Sequence, residues 1–363
     1  MYRFLIVVLI AIGLTGLACA QDNGSESNHL IPELSLFRDG ISHWQKKNGR
    51  DRNDPRFDPS QYVEIANNLV GLQNDDGGWS KDIDWLAQIP RDDLERLHGD
   101  MLGRSTFDNH NTYPQIEYLA KVYRLTGDER FRESSERGLD YLLDEQRESG
   151  GWRGWDVDAI TFNDGVMTGI MGMLLDIQND ADHFRWLDEA RRDRAKAALD
   201  RGIRVTLKCQ IEIDGEKTAW CQQHDHTTLK PVQARTYELP SITAQESVDV
   251  VRFLQRIPNP SPEIRESIES ALKWFRSSAI TGYRLERVPI EPARFENHTA
   301  TQDVVLVEDP SAPPLWARFY DLKTGKPIFC NRDGKVVGSL SEVALERRTG
   351  YAWYGSWPSK LLQ

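Results

Sequence analysis

The chain has few cysteines, four in 363 residues, and none of them sits at zinc-ligand spacing, so a structural zinc site is not expected. Blocks of Lys and Arg are missing and the net charge is −11, which argues against nucleic acid as a partner. Long apolar runs are missing as well, apart from Leu5 to Leu17 behind Arg3. That run is too short for a typical membrane span and closes on Ala18-Cys19-Ala20, the small-x-small pattern of a secretory signal. The expected organisation is a signal peptide over 1–20, a polar segment over 21–45 and one large domain over 46–363, exported and free of the membrane.

Three cysteines remain after such cleavage: Cys209, Cys221 and Cys330. The segment Val205 to Ile213 alternates, Asp214-Gly215 provides a turn, and Thr218-Ala219-Trp220-Cys221 returns, which predicts a β-hairpin. Counting outward from the turn sets Cys209 nearly opposite Cys221, a plausible disulfide in an oxidising compartment. Cys330 is left over and reads as a free buried thiol.

Gln73-Asn74-Asp75-Asp76-Gly77-Gly78-Trp79 recurs as Gln146-Arg147-Glu148-Ser149-Gly150-Gly151-Trp152, each copy behind an amphipathic stretch that Gly-Gly ends. Helical spacing runs from Val63 to Leu72, Thr112 to Leu125 and Glu129 to Glu145, and helices are also predicted over His183–Arg201, Ser241–Leu254 and Ser261–Ser277. Helix hairpins with a repeated loop motif predict an all-α fold, an α/α toroid or incomplete α/α barrel, with long loops and a small β-hairpin. A tetratricopeptide-like superhelix is the rival, but its connections are shorter. The proline-rich stretch from Arg284 to Pro314 reads as an ordered loop region near the cleft.

Two motifs carry the chemistry. Thr106-Phe107-Asp108-Asn109 and Thr161-Phe162-Asn163-Asp164 each stand at a predicted helix start. For one such pair, helix capping would suffice. Two pairs around a toroid cleft suit a hard cation such as calcium, with Asp108 and Asp164 as oxygen ligands. Arg235, in Ala234-Arg235-Thr236-Tyr237-Glu238, and Arg318, in Trp316-Ala317-Arg318-Phe319-Tyr320, lie among aromatic residues and suit a carboxylate or phosphate. Of the tryptophans at loops and helix ends, most read as core, with one or two free to stack on a sugar ring. His224-Asp225-His226 alternates on a strand and reads as satisfied polar contacts.

These blocks, with Glu246-Ser247 and Arg347-Arg348-Thr349-Gly350-Tyr351-Ala352-Trp353-Tyr354, resemble polysaccharide lyase family ten, pectate lyases built on an α/α toroid. The resemblance covers nearly the whole chain behind the leader and makes 46–363 the catalytic domain. It implies a secreted enzyme that cleaves polygalacturonate by calcium-assisted anti β-elimination. It further implies Arg235 as the catalytic base and Arg318 as the substrate-carboxylate arginine. Asn109, Asn163 and Trp152 are the other expected substrate contacts, and Asp108 and Asp164 the calcium ligands. A monomer is expected. The chain departs from the family pattern at His110-Asn111, where small residues are usual, and at Gly165, where a further acid is common. Two other readings keep the toroid: a glycoside hydrolase using paired carboxylates on an acidic polysaccharide, and a carbohydrate-binding protein without turnover.

Overall fold

The computed structural model describes residues 32–48, 55–88, 90–99, 102–296 and 298–363. The predicted leader lies outside them. Ten α-helices form among the described residues: α1 (Arg38–Asn48), α2 (Tyr62–Gly71), α3 (Arg91–His98), α4 (Tyr113–Thr126), α5 (Glu129–Asp144), α6 (Val166–Gln178), α7 (Glu189–Lys208), α8 (Ala244–Arg256), α9 (Pro262–Ser277) and α10 (Leu345–Gly350). Helices α2, α4, α6 and α8 pack side by side as an inner row. Behind them α5, α7 and α9 form an outer row, each joined by a hairpin to the inner helix before it. This is the expected α/α toroid. No described helix is long and apolar enough to cross a membrane.

The apolar spacing explains the layers. Ile116 and Leu119 of α4, Val166, Ile170 and Leu174 of α6, and Val248, Val251 and Leu254 of α8 all fall in one contiguous core. Burial of each such side chain contributes roughly 1.5–3 kcal/mol. Helix α7 starts later than predicted because the chain first makes a turn over Asp182–Phe184. Asp188 then caps the helix, its Oδ1 accepting from the Arg191 amide at 2.8 Å.

The Gly-Gly-Trp repeat is a staple that recurs further than the sequence shows. Trp79 Nε1 donates to Leu69 O at 2.8 Å and Trp152 Nε1 to Leu142 O at 2.9 Å, each in the last turn of the preceding helix. Trp220 and Trp316 repeat the bond, to Thr206 O and Phe275 O, both at 2.8 Å. The glutamine that opens the repeat also acts alike. Gln73, Gln146 and Gln210 donate both to the loop, at Gly77 O, Gly150 O and Thr218 O, and to the following outer helix, at Ser134 O, Ala198 O and Ser267 O. Gly77 and Gly150 have φ of +94° and +95°, and a Cβ there would press on Arg137 O and Arg201 O. Only glycine admits that approach.

In its described part the N-terminal segment contributes Phe37 and Trp44 to the main core. Three expectations are corrected here. Residues Val205–Lys208 are helical, so the hairpin shrinks to Glu212–Ile213 against Glu216–Lys217 around the predicted Asp214-Gly215 turn. Cys209 ends α7 instead of a strand, and it and Cys221 are free buried thiols, not a disulfide. Burial pushes them up, Cys209 to about 12 and Cys221 to about 11. Finally, the stretch read as a loop from Arg284 is a long antiparallel hairpin, Tyr283–Arg294 against Thr299–Glu308. Its prolines fit because a two-stranded ribbon has two free edges, and the register breaks between Pro289 and Ala293. Phe319, Phe329, Leu340, Val343 and Trp353 form a second small core beside it. Cys330 is buried and free, as expected.

Candidate active site

The loops ahead of the inner helices gather at one end. Neither acid and amide motif acts as a helix cap. Helix α4 begins four residues after Asn109, and α6 begins two residues after Asp164, with no side-chain cap on either. The intervening backbone is left-handed instead. Asn109, His110 and Thr112 have φ of 55°, 52° and 70°, and Asp164 has 51°. Such strain outside glycine costs on the order of 1–3 kcal/mol per residue and recurs at functional sites.

The two motifs meet directly. The His110 amide donates to Asp164 O at 3.3 Å. Asp108, buried, accepts from Lys81 Nζ in an ion pair, while Asn109 Nδ2 donates to Asp82 Oδ1 at 2.7 Å. Asn163 Nδ2 donates to Asp164 Oδ2 at 2.8 Å. Burial pushes Asp164 up to about 7, helped by Asp108 and Asp39 and opposed by Arg318 and Arg235. Asp108 is raised too, by burial, against the pull of Lys81. Asp108, Arg235 and Arg318 therefore all lie within electrostatic reach of Asp164.

Next to the second motif Arg318 is buried and pairs with buried Glu246. Its Nη2 also donates to Asn163 Oδ1 at 3.4 Å, and Gln222 Nε2 donates to Glu246 Oε1 at 2.8 Å. Half-exposed Arg235 pairs with Glu238, whose Oε1 also accepts from Tyr351 Oη at 3.2 Å. Arg235 lies 5.1 Å over the Tyr237 ring and Arg318 4.5 Å over Tyr351. Arg347 sits between those rings, at 4.5 and 5.2 Å. Among the described residues, Nε of Arg318 and Nε of Arg347 have no hydrogen-bond partner, while Nε of Arg235 lies 3.9 Å from Asp156 Oδ2. A cluster of guanidinium groups of this kind suits an anion.

The placement sorts the expected site residues. Asp108, Asn109, Asn163, Asp164, Arg235 and Arg318 come together. Trp152 does not: it has no exposed surface, and its Nε1 is spent on Leu142 O, so it staples the fold and cannot stack on substrate. The balance at Arg235 also differs from expectation. Burial pulls its proton affinity down, but Glu238 more than offsets this and raises it. Glu238 itself is held below the usual range by Arg235, despite burial. Sequence reasoning missed Lys81 and Gln222 altogether and gave Glu238 and Glu246 no role. Lys81 follows the repeated Trp79 by two positions, which is the one signal that could have drawn attention to it.

His224 is a satisfied core histidine, as expected. Its Nδ1 bonds Leu229 O at 2.9 Å and its Nε2 accepts from the Cys221 amide at 3.0 Å. At the rim, His110 Nδ1 lies 3.4 Å from Asp39 Oδ2. Its Nε2 would stand 2.8 Å from a Cβ at position 165, where Gly165 has φ of +68°.

A divalent cation can be tested against these donors. Two carboxylates that repel each other, buried Asp108 balanced by Lys81 and partly buried Asp164 lacking a direct cation, fit a hard oxygen-seeking ion. No group of three His, Cys, Asp or Glu residues forms a closed cage among the described residues. The donor set suits calcium in an open site completed by water and substrate oxygens.

A helical toroid with arginines and carboxylates ahead of its inner helices is an architecture shared with solved polysaccharide lyases. The family 10 polysaccharide lyase from Cellvibrio cellulosa superposes with a TM-score of 0.68 at 27% identity, over 84% of this chain and 94% of that one. A mutant of it in complex with trigalacturonic acid also gives 0.68, at 25% identity, over 91% of this chain and 97% of that one. The family model described as pectic acid lyase matches residues 73–362, and the chain belongs to that family. A stretch of 133 residues, 33% of the chain, is 29% identical to the terpene cyclase-glycosyl transferase fusion protein fsoA of Humicola fuscoatra, and the chain spans only 10% of that relative.

Proposed function

We propose that the protein is a secreted pectate lyase that cleaves polygalacturonate by calcium-assisted anti β-elimination, leaving a 4,5-unsaturated end. The observation that carries this is the pair of arginines, Arg235 and Arg318, held by Glu238 and Glu246 within electrostatic reach of Asp164, which in turn feels buried Asp108. An acidic sugar chain supplies a carboxylate for such a cluster. The family, and the trigalacturonic acid held by the related lyase, support the same substrate.

Arg318, fixed by Glu246 and Asn163, grips the uronate carboxylate and sets the sugar. Arg235 then stands at C5. Its ion pair with Glu238 favours the charged form, so the base is the minor neutral guanidine, which takes the C5 proton as the C4–O bond breaks and the departing oxygen takes a proton from water. Asp108 and Asp164, with Asn109 and Asn163 turned beside them, would hold calcium. The ion, when bound, withdraws charge from the uronate carboxylate and acidifies C5–H.

The test is incubation with polygalacturonate, with and without a chelator, followed by ultraviolet absorbance. Absorbance that grows only with calcium supports elimination. Reducing ends without absorbance mean hydrolysis, and binding without either product means a carbohydrate-binding protein.

Calcium binding is expected to depend on pH through Asp164. Its carboxyl keeps a proton up to about pH 7 in the fold, whereas the unfolded chain releases it near the ordinary carboxylate value. Folding of the cation-free protein is therefore favoured at low pH, and that advantage is lost as pH rises through 7. Cation affinity runs the other way, because only the ionised form binds. Calcium titrations followed by melting temperature should show an affinity about thirtyfold weaker at pH 5.5 than at pH 8. Equal affinities at the two pH values would remove Asp164 from the cation site.

A further inference from the structure

We propose that a cavity of about 320 Å³ beside Asp108 is a further uronate subsite, in which Arg104 and Arg153 grip the carboxylate of a sugar beyond the reacting pair. The inference rests on the lyase reading above and extends the substrate path away from Arg318.

Position comes first. Thr106 and Phe107, immediately ahead of Asp108, line the cavity. So does Gly154, where a Cβ would stand 3.2 Å from Asp108 Oδ1 and 3.1 Å from Thr161 Cγ2. The missing side chain lets this wall of the cavity come directly against Asp108.

Charge comes second. The Trp155 ring carries two cations, Lys81 Nζ at 4.8 Å and the Arg104 guanidinium at 4.5 Å from its centroid. Lys81 is spent on Asp108. Exposed Arg104 has no carboxylate partner among the described residues. Arg153 donates only to the backbone, to Gly154 O and Trp155 O at 3.3 Å each. The acids that share the cavity are already engaged. Asp76 accepts from Ser105 Oγ at 2.6 Å and from the Gly78 amide at 3.0 Å, and Glu145 lies 3.6 Å from Arg147. Two guanidinium groups are thus available for an anion, in a space the size of a sugar unit. A polyuronate laid from Arg318 across Asp164 and Asp108 presents a carboxylate on every unit, so one reaches the cavity without any new recognition element. Trp155 holds Arg104 in place and so keeps the entropy cost of gripping that carboxylate low.

The experiment compares kcat/KM on oligogalacturonides from three to eight units for the full-length enzyme and for the Arg104→Ala, Arg153→Ala double variant. The wild type should gain with length. The double variant should lose about tenfold in the octamer-to-trimer ratio, the loss of one charge-assisted contact. Arg124→Ala, at a surface pair with Asp182, should leave the ratio unchanged. An unchanged ratio in the double variant overturns the subsite. If the wild type cleaves no oligogalacturonide, the lyase reading fails on its own. Calorimetry with octagalacturonate then decides the subsite, a tenfold loss of affinity in the double variant upholding it and equal affinity removing it.

Discussion

Arg235→Lys should lower formation of the unsaturated product by about a thousandfold while leaving the protein folded. General base catalysis contributes roughly 10²–10⁴-fold, and a lysine ammonium, a single flexible point charge, cannot both pair with Glu238 and face C5 as the planar guanidinium does. Lysine keeps a cation beside Glu238, which is almost wholly buried at 1% exposure and would otherwise lose its principal partner. Arg235→Ala should be as inactive and somewhat less stable for that reason. The measurements are ultraviolet absorbance on polygalacturonate and a thermal melt. A lysine variant at the wild-type rate would show that proton removal happens elsewhere.

The second large effect is on stability. Glu246→Ala should cost about 3–5 kcal/mol, because it strands a buried guanidinium. Arg318 would keep only its 3.4 Å bond to Asn163, and Gln222 would lose the stronger acceptor of its amide. Glu246→Gln should cost less, since a side-chain oxygen remains. Chemical denaturation gives the answer directly. A loss under about 1 kcal/mol for the alanine variant would mean that Arg318 finds another counter-charge, and Glu246 could no longer be credited with fixing the substrate carboxylate site.

The legible parts of this fold were those with a local signature. Inner and outer helices follow from apolar spacing, and the staple was visible twice because Gly77-Gly78-Trp79 and Gly150-Gly151-Trp152 are near copies. The third staple escaped notice because a hairpin separates Gln210 from Trp220, and the fourth because Trp316 follows a long ribbon. The ribbon itself was hidden by prolines, which count against a strand only where both edges are paired. In the site, Asp108, Asp164, Arg235 and Arg318 stood out through repeated contexts. Lys81, Gln222 and Glu246 did not, because a lone charge or amide reveals nothing until the chain supplies its partner from far along the sequence. Trp152 misled for the converse reason. Its place in a loop looked available, yet its indole closes the helix before it.

The contact between His110 and Gly165 has a consequence for how this site can vary. A side chain at 165 needs the room that the imidazole fills, and it also needs a backbone that most residues resist at φ +68°. The two positions are therefore coupled. A side chain at 165 obliges the tip of the imidazole to turn aside, while the left-handed backbone narrows the choice to the residues that tolerate it, Asn and Asp first among them. A designer who wants a third carboxylate here does best to shorten His110 first and then bring in Gly165→Asp.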